Sequence, residues 1–543
     1  MFILDLDNKS PTPLYRQIID RLRRLIESGA LRVGERLPST RRLAEQLGLH
    51  RSTVSTAYQE LWSLGYIEMR PGSRPCVRAR LSIAPAGGRE ARGILDWERL
   101  SSGSARGIFA DYRHFGSESA SAGASGPIDP FADATPPRRR GLKSEPRLSI
   151  PMNRKRFMSA GFMPGSRGVD MASLDIDGRL LPLDQYRACL NRALRTYGPD
   201  LLAYGAPHGF RPLREYIAGR MNAHGVAATA DEILITNGAT HGIDLVLRLI
   251  AAPGRTVVVE SPTYRQVLPL LRFHGFKEIE VPMRAGGMDL DALAAVLKNH
   301  QPALVYTMPT FHNPTGTSTG QAHRERLLSL CGRARVPILE DGFEEEMKYF
   351  GKIVLPLKSM DRDRVVIYAG TFSKVLFPGL RLGWITADRD CVDRLAALRR
   401  SSELSPNLIL QAGLYEFCRR GYYDLHVQRM HRIFRKRMTT TLRLLKRMIP
   451  PAWAEWREPN GGYLVWLKLK PAGSRGPDWA RLFTEHGVTI VPGRHFYRSG
   501  GDHSHIRLSI STLNEDEIGE AIRRIAKALS GIHRRKSHSR RLQ

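Results

Sequence analysis

The chain has 543 residues and a formal net charge of +30, with 42% hydrophobic and 25% charged residues. That length exceeds one ordinary core and predicts two or more domains, and the composition is that of a globular protein. No run of about 18 apolar residues is present to span a membrane, the N-terminus lacks a signal-peptide pattern, and five scattered cysteines argue against a disulfide framework or a zinc site. A cytoplasmic location is expected. Nucleic acid would suit the charge, but the excess is spread out: the first 156 residues and the last eleven carry +16 of it. Charge alone does not locate a binding surface.

Residues 1–80 are dense in helix patterns. Leu14, Ile18, Leu22, Leu25 and Ile26 recur at helical spacing, with Pro13 at the start and Gly29 at the end. Ser39 can cap a second helix carrying Leu43, Ala44 and Leu47. After a turn at Gly48-Leu49, a third helix places Val54, Ala57, Tyr58, Leu61 and Leu64 inward. Tyr66–Met69 and Pro75–Val77 then read as a hairpin, or wing. This order describes a winged helix-turn-helix. Its third helix would enter the major groove N-terminus first, presenting His50, Arg51, Ser52, Thr53 and Ser55 to base edges. Arg41, Arg70 and Arg74 are placed for phosphates or the minor groove.

Leu37-Pro38-Ser39-Thr40-Arg41-Arg42-Leu43-Ala44, with Arg51-Ser52-Thr53-Val54 and Gly65-Tyr66-Ile67, resembles the reader domain of the GntR family of bacterial repressors. The resemblance covers about residues 11–78 and implies operator contacts by Arg41 and Arg51. One departure is the wing tip, where Pro71-Gly72-Ser73-Arg74-Pro75 stands in place of Gly-x-Gly and a small residue.

Residues 81–156 are rich in Ser, Gly, Ala, Pro and Arg without a sustained apolar period, so a flexible linker is expected. A short helix bringing Ile94, Trp97 and Leu100 to one face is its one hint of order. From 157 to 532, apolar strands alternate with amphipathic helices, the pattern of an α/β domain with a mainly parallel sheet. The basic stretch 533–543 is expected to be disordered.

Within the α/β region, several turns follow strands. Leu234–Asn237 leads into Gly238-Ala239-Thr240 and a helix, a turn that offers backbone N–H groups to an anion. Val257–Glu260 leads to Tyr264, whose ring can stack on a planar group at a strand's C-terminal edge. Leu304-Val305-Tyr306 leads to Asn313, held before Pro314. Val336–Leu339 leads to Asp341, a carboxylate able to pair with a pyridinium nitrogen. Val365–Tyr368 leads to Thr371, Ser373 and Lys374, with Arg381 beyond as a bidentate phosphate partner. Singly each turn is common; their order is not.

The set resembles fold-type I aminotransferases across about residues 162–530. The resemblance implies pyridoxal 5'-phosphate (PLP) as cofactor, Lys374 as its Schiff-base lysine, Asp341 at the pyridine nitrogen, Asn313 at the phenolic oxygen and Tyr264 stacked on the ring. It gives the phosphate to Gly238, Ala239, Thr240, Thr371, Ser373 and Arg381, with Tyr204 reaching the partner subunit's phosphate, and a substrate carboxylate to Arg507. Two departures stand out: Phe343 replaces a tyrosine of related regulators, and Ala206 an aspartate.

A GntR-type reader joined to such a domain resembles the MocR subfamily of transcription regulators. That resemblance implies double-stranded operator DNA as partner, a head-to-tail homodimer, and an amine or amino-acid effector, or PLP itself, sensed through an aldimine at Lys374. A working aminotransferase with an accessory DNA-binding domain is the alternative, since the site residues are largely intact.

Overall fold

In the computed structural model, the residues described are 6–7, 14–63, 66–68, 74–77, 93–121, 168–343, 346–350, 355–470, 478–498 and 504–539. The reader begins with α1 (Leu14–Glu27), α2 (Thr40–Leu47) and α3 (Arg51–Ser63), followed by strands β1 (Ile67–Glu68) and β2 (Cys76–Val77). Ser39 caps α2 by accepting the Arg42 N–H at 3.2 Å, and Gly48, at φ 63°, closes it in the left-handed region. Ile18, Leu22, Leu43, Val54, Ala57, Tyr58 and Leu61 form one buried core, as their helical spacing predicts. The wing pairs Ile67 with Val77 in antiparallel register. A third edge, without a signal in the sequence, joins it: Arg36 bridges to Cys76, and Leu37 N–H donates to Pro75 O at 2.7 Å. Leu64 and Arg70 lie outside the described residues.

The expectation of a flexible linker from 81 is corrected for its middle. Helices α4 (Trp97–Leu100) and α5 (Gly103–Ser121) occupy it. Asp96 caps α4 through the Arg99 N–H at 3.1 Å, and Trp97 is buried. The short helix is there, but it starts at Trp97 and leaves Ile94 ahead of it and exposed, so the three residues do not share one buried face; α5 extends the order to Ser121.

The chain continues through β3 (Val169–Asp170), α6 (Leu183–Tyr197), α7 (Arg211–Ala223), β4 (Ile233–Thr236), α8 (Ala239–Ile250), β5 (Thr256–Ser261), α9 (Val267–Phe273), β6 (Lys277–Arg284), β7 (Gly287–Met288), α10 (Leu290–His300), β8 (Leu304–Thr307), α11 (Gln321–Ala334), β9 (Ile338–Asp341), β10 (Val366–Thr371), β11 (Gly383–Thr386) and α12 (Arg389–Glu403). It ends with α13 (Leu408–Arg419), α14 (Tyr422–Met448), β12 (Ala454–Trp456), β13 (Leu464–Leu469), α15 (Trp479–Glu485), β14 (Val488–Thr489), β15 (Val491–Pro492), β16 (His505–Ser509) and α16 (Glu515–Ser539).

Two compact units divide these elements. The first, which includes 206–406, holds an eight-stranded sheet in the order β4-β11-β10-β9-β8-β5-β6-β7. Strands β10, β9, β8, β5 and β6 run parallel, and β11 is antiparallel to both β10 and β4. Strands β4, β8 and β9 are buried along their whole length, as expected of strands covered on both faces.

The second unit, built from 127–205, 407–458 and 463–543, holds the antiparallel sheet β12-β13-β16-β15, with α14 packed on α16 and α6 on α13. The single domain expected over 157–532 thus comprises parts of both units. The disordered tail is corrected too: α16 continues to Ser539, with His533 stacked on Trp453 at 5.4 Å, and only 540–543 lie outside the described residues. Among the described residues, no helix is long and apolar enough to cross a membrane.

Candidate functional site

Because β4, β5, β8, β9 and β10 all run the same way, their C-terminal ends share one edge of the sheet, the edge at which open α/β sheets take ligands. Thr236, Ser261, Thr307, Asp341 and Thr371 end those strands. The residues expected from the turns beyond them, Gly238 to Thr240, Tyr264, Asn313 and Lys374, are thereby gathered at that edge.

Asp341 is buried, with Oδ2 accepting the Tyr306 hydroxyl at 2.8 Å. Its Oδ1 is buried with no hydrogen-bond partner among the described residues. Burial pushes the Asp341 carboxyl up to about 6, against the opposing pull of the Tyr306 hydrogen bond and of the charge on half-buried Lys374. Burial, then the neighbouring carboxylate, raises the Tyr306 phenol well above its ordinary value. Asn313 is fully buried and Tyr264 half-buried.

The expected anion cradle lies where β4 enters α8. Gly238 has φ 85°, and a Cβ there would fall 2.6 Å from Arg381 Nη2. Arg381 Nη2 also donates to Asn237 O at 3.3 Å. A Cβ on Gly383 would meet Ala239 N at 2.8 Å, so β11 approaches the start of α8 closely. Thr371 Oγ1 accepts the Ser373 N–H at 3.1 Å, while Ser373 Oγ is buried with no partner among the described residues. An exposed guanidinium, backbone N–H groups at a helix start and a spare hydroxyl are the donor set a phosphate requires.

Some neighbours carry no signal in the sequence. Tyr306 reads only as a strand residue. Glu260, at the end of β5, is buried and accepts Thr307 Oγ1 at 2.7 Å and Met308 N–H at 3.0 Å, and it lies 3.2 Å from His312 Nε2. Burial works to raise this carboxyl, yet the imidazole and the hydrogen bonds hold it below its usual range. Phe343 is buried, and beside it a Cβ on Gly342 would strike the Tyr368 hydroxyl.

Tyr204 and Arg507 belong to the second unit. Tyr204 is 84% exposed. Arg507 is buried, donates to Ala172 O at 2.6 Å and lies 5.3 Å from the Phe496 ring.

In the reader, His50, Arg51 and Ser52 are exposed at the start of α3 and Thr53 is half-buried there. His50 Nδ1 lies 2.7 Å from Ser52 Oγ and accepts the Ser52 N–H at 3.3 Å, fixing the first turn. Arg41 is exposed on α2, paired with Glu45 at 3.1 Å.

Comparison with known proteins agrees with both halves. Residues 177–525 match the family "Aminotransferase class I and II", and residues 14–77 match "Bacterial regulatory proteins, gntR family". The uncharacterized HTH-type transcriptional regulator YisV of Bacillus subtilis is 27% identical, with 96% of each chain covered. The probable rhizopine catabolism regulatory protein MocR of Rhizobium meliloti is 28% identical over 92% of this chain and 90% of its own. Among solved structures, LysN, the alpha-aminoadipate aminotransferase of Thermus thermophilus complexed with N-(5'-phosphopyridoxyl)-L-leucine, is 31% identical with a TM-score of 0.63, covering 67% of this chain and 92% of that one. The cofactor of the fold is pyridoxal 5'-phosphate, and the residues present fit it: Asp341 Oδ1 and Ser373 Oγ are buried polar atoms to spare, and Gly238 keeps the cradle open beside Arg381. The chain therefore belongs to the class I and II aminotransferase family and, with its gntR-family reader, to the MocR subfamily of DNA-binding transcription regulators.

Proposed function

We propose that the protein is a PLP-dependent regulator that senses an amino-group effector, or PLP itself, at Lys374 and reports it to operator DNA. When bound, PLP supplies an aldehyde carbon that exchanges between amines. Lys374 Nζ is the protein's own amine for that carbon. Asp341 holds the pyridine nitrogen protonated, Asn313 donates to the phenolic oxygen and Tyr264 covers the ring. Gly238, Ala239, Thr240, Thr371, Ser373 and Arg381 hold the phosphate, and Tyr204 completes that site from the partner of a head-to-tail homodimer. Arg507 grips the effector's carboxylate. Arg41, His50, Arg51, Ser52, Thr53 and Arg70 contact DNA. An effector acts only through its different affinity for two arrangements, and a near-complete switch takes a ratio of about 10⁴. The proposed division is a reader at 1–80, a spacer, and the cofactor-binding region from 157 to 532.

The observation that carries this reading is the union, in one chain, of an exposed reader helix at Arg51 with buried Asp341 at the shared strand edge. A working aminotransferase is the second reading, favoured by the intact Lys374, Asp341 and Asn313; Phe343, one hydroxyl short at the phenolic oxygen, weighs against it. Gel-shift with the gene's upstream DNA, with and without PLP, separates them. The regulator should bind and respond to PLP, with a cofactor band at roughly 420 nm that Lys374→Ala abolishes while apoprotein DNA binding persists. Absence of DNA binding together with rapid half-transamination would overturn the regulator reading.

A further inference from the structure

Helix α12 makes two sets of contacts. One holds the segment that leads back to the reader. Arg394 Nη2 lies 2.7 Å from Glu98 Oε2, and its guanidinium sits 4.5 Å from the Phe109 ring. One turn and a half further on, Arg400 lies 5.7 Å from the Tyr112 ring. The same segment is tied to the ends of other elements: Ile94 N–H donates to Asp363 O at 3.1 Å, Ser102 N–H to Leu249 O at 2.7 Å, and Arg255 to Leu100 O at 2.5 Å.

The other set, near its C-terminal end, holds the phosphate turn. Glu403 Oε1 accepts Asn237 Nδ2 at 2.8 Å and lies 3.2 Å from His241 Nε2. His241 Nδ1 in turn accepts the Asn237 N–H at 3.1 Å. Glu403 Oε2 pairs with Arg399 Nε at 3.0 Å, and buried Arg399 donates onward to Ile235 O on β4. Asn237 O is the carbonyl that steadies Arg381. A continuous run of polar contacts thus joins Arg381 and the Gly238 turn, through Glu403, to the helix that grips Phe109 and Tyr112.

We propose that Glu403 is a positioning residue and that α12 couples occupancy of the phosphate turn to the docking of α4 and α5, and hence to the tether of the DNA reader. The proposal rests on PLP occupying that turn. A phosphate drawing Arg381 and the Gly238 turn together fixes Asn237 and His241. Through Glu403 that fixes the register of α12, and with it the Arg394 and Arg400 grips. Loss of the phosphate loosens the same contacts in the same order. Coupling between two sites is reciprocal by thermodynamic necessity: whatever factor PLP adds to docking, docking adds to PLP affinity.

Hydrogen exchange of the 103–113 amides in the full-length protein reads one side of the coupling, and PLP titration by absorbance reads the other. In the parent, saturating PLP should slow exchange of that segment about fivefold or more, the lower end of ordinary coupling. Phe109→Ala with Tyr112→Ala should weaken PLP binding by the same factor that PLP slows exchange in the parent. Glu403→Ala at saturating PLP should leave the segment exchanging as it does in apoprotein. A normal cofactor band with exchange insensitive to PLP, or equally sensitive in parent and Glu403→Ala, would overturn the coupling alone. So would the double variant binding PLP as tightly as the parent, which bears on the coupling even where Glu403→Ala fails to fold. Absence of a cofactor band in the parent removes the proposed function itself.

Discussion

Asp341 shows what one buried carboxyl asks of its surroundings. Tyr306 satisfies one oxygen, Oδ1 has no protein partner among the described residues, and burial lifts the group from 3.8 to about 6. A folded-state value above the unfolded one means that the folded apoprotein holds the extra proton between those limits. Its stability should therefore fall as pH rises from about 4 through 6, by on the order of 3 kcal/mol from this group. A protonated pyridine nitrogen against Oδ1 would favour the carboxylate and flatten that fall. Urea unfolding from pH 4 to 7 of parent and Asp341→Asn tests this: the parent should lose its advantage over the variant across that window without PLP, and lose less of it with PLP. Parallel profiles would contradict the assignment. Lys374, Asp341 and Asn313 are legible as candidates in the sequence because each ends or follows an apolar strand, Asp341 as the last residue of β9. Tyr306 and Glu403 are not, since their partners lie 35 and 166 residues away and only strand pairing and helix packing bring them in.

At the scale of elements, legibility follows the locality of the cause. The reader's helices are readable because their period, caps and turn are local. Ser39 and Gly48 sit where α2 starts and stops, and both perform the capping that their residue types suggest. Ser39→Ala removes the acceptor for the Arg42 N–H and should cost the reader about 1 kcal/mol. Thermal unfolding followed at the reader should register it, while the cofactor band stays unchanged; an unshifted reader transition would contradict the cap's role. Helices α4 and α5 are hidden by a composition of Ser, Gly and Ala that reads as a spacer. A helix this poor in apolar residues is marginal alone and gains its stability from partners elsewhere in the chain, here Arg394 over Phe109 and the backbone of Leu249 receiving Ser102. The order of the tail is hidden for a similar reason: its basic run continues a helix whose buried side, Ala528 and Leu529, is set before the charges begin.

For the whole molecule, docking changes the length of chain that carries the reader. Composition assigns the spacer to residues 81–156, which would leave the reader a long reach. With Gly93 already beside Arg364 and Ile94 bonded to Asp363, only residues 78–92 separate the wing strand at Val77 from a fixed point. Fully extended, that stretch reaches roughly 50 Å. In the proposed dimer two such tethers would serve one operator, and the second reader's binding then depends on the effective concentration its tether allows, a factor commonly of 10² to 10⁴. Tether length should matter between 78 and 92 and not beyond the docked helices. Deleting about eight residues from 80–91 should weaken operator binding about tenfold or more, whereas deleting about eight from 126–145 should leave it within about twofold. Fluorescence anisotropy on a two-half-site operator measures both, at one fixed salt concentration, because a chain of net charge +30 binds DNA in a strongly salt-dependent way. Equal losses from the two deletions would mean that α4 and α5 do not anchor the tether in the DNA-bound state.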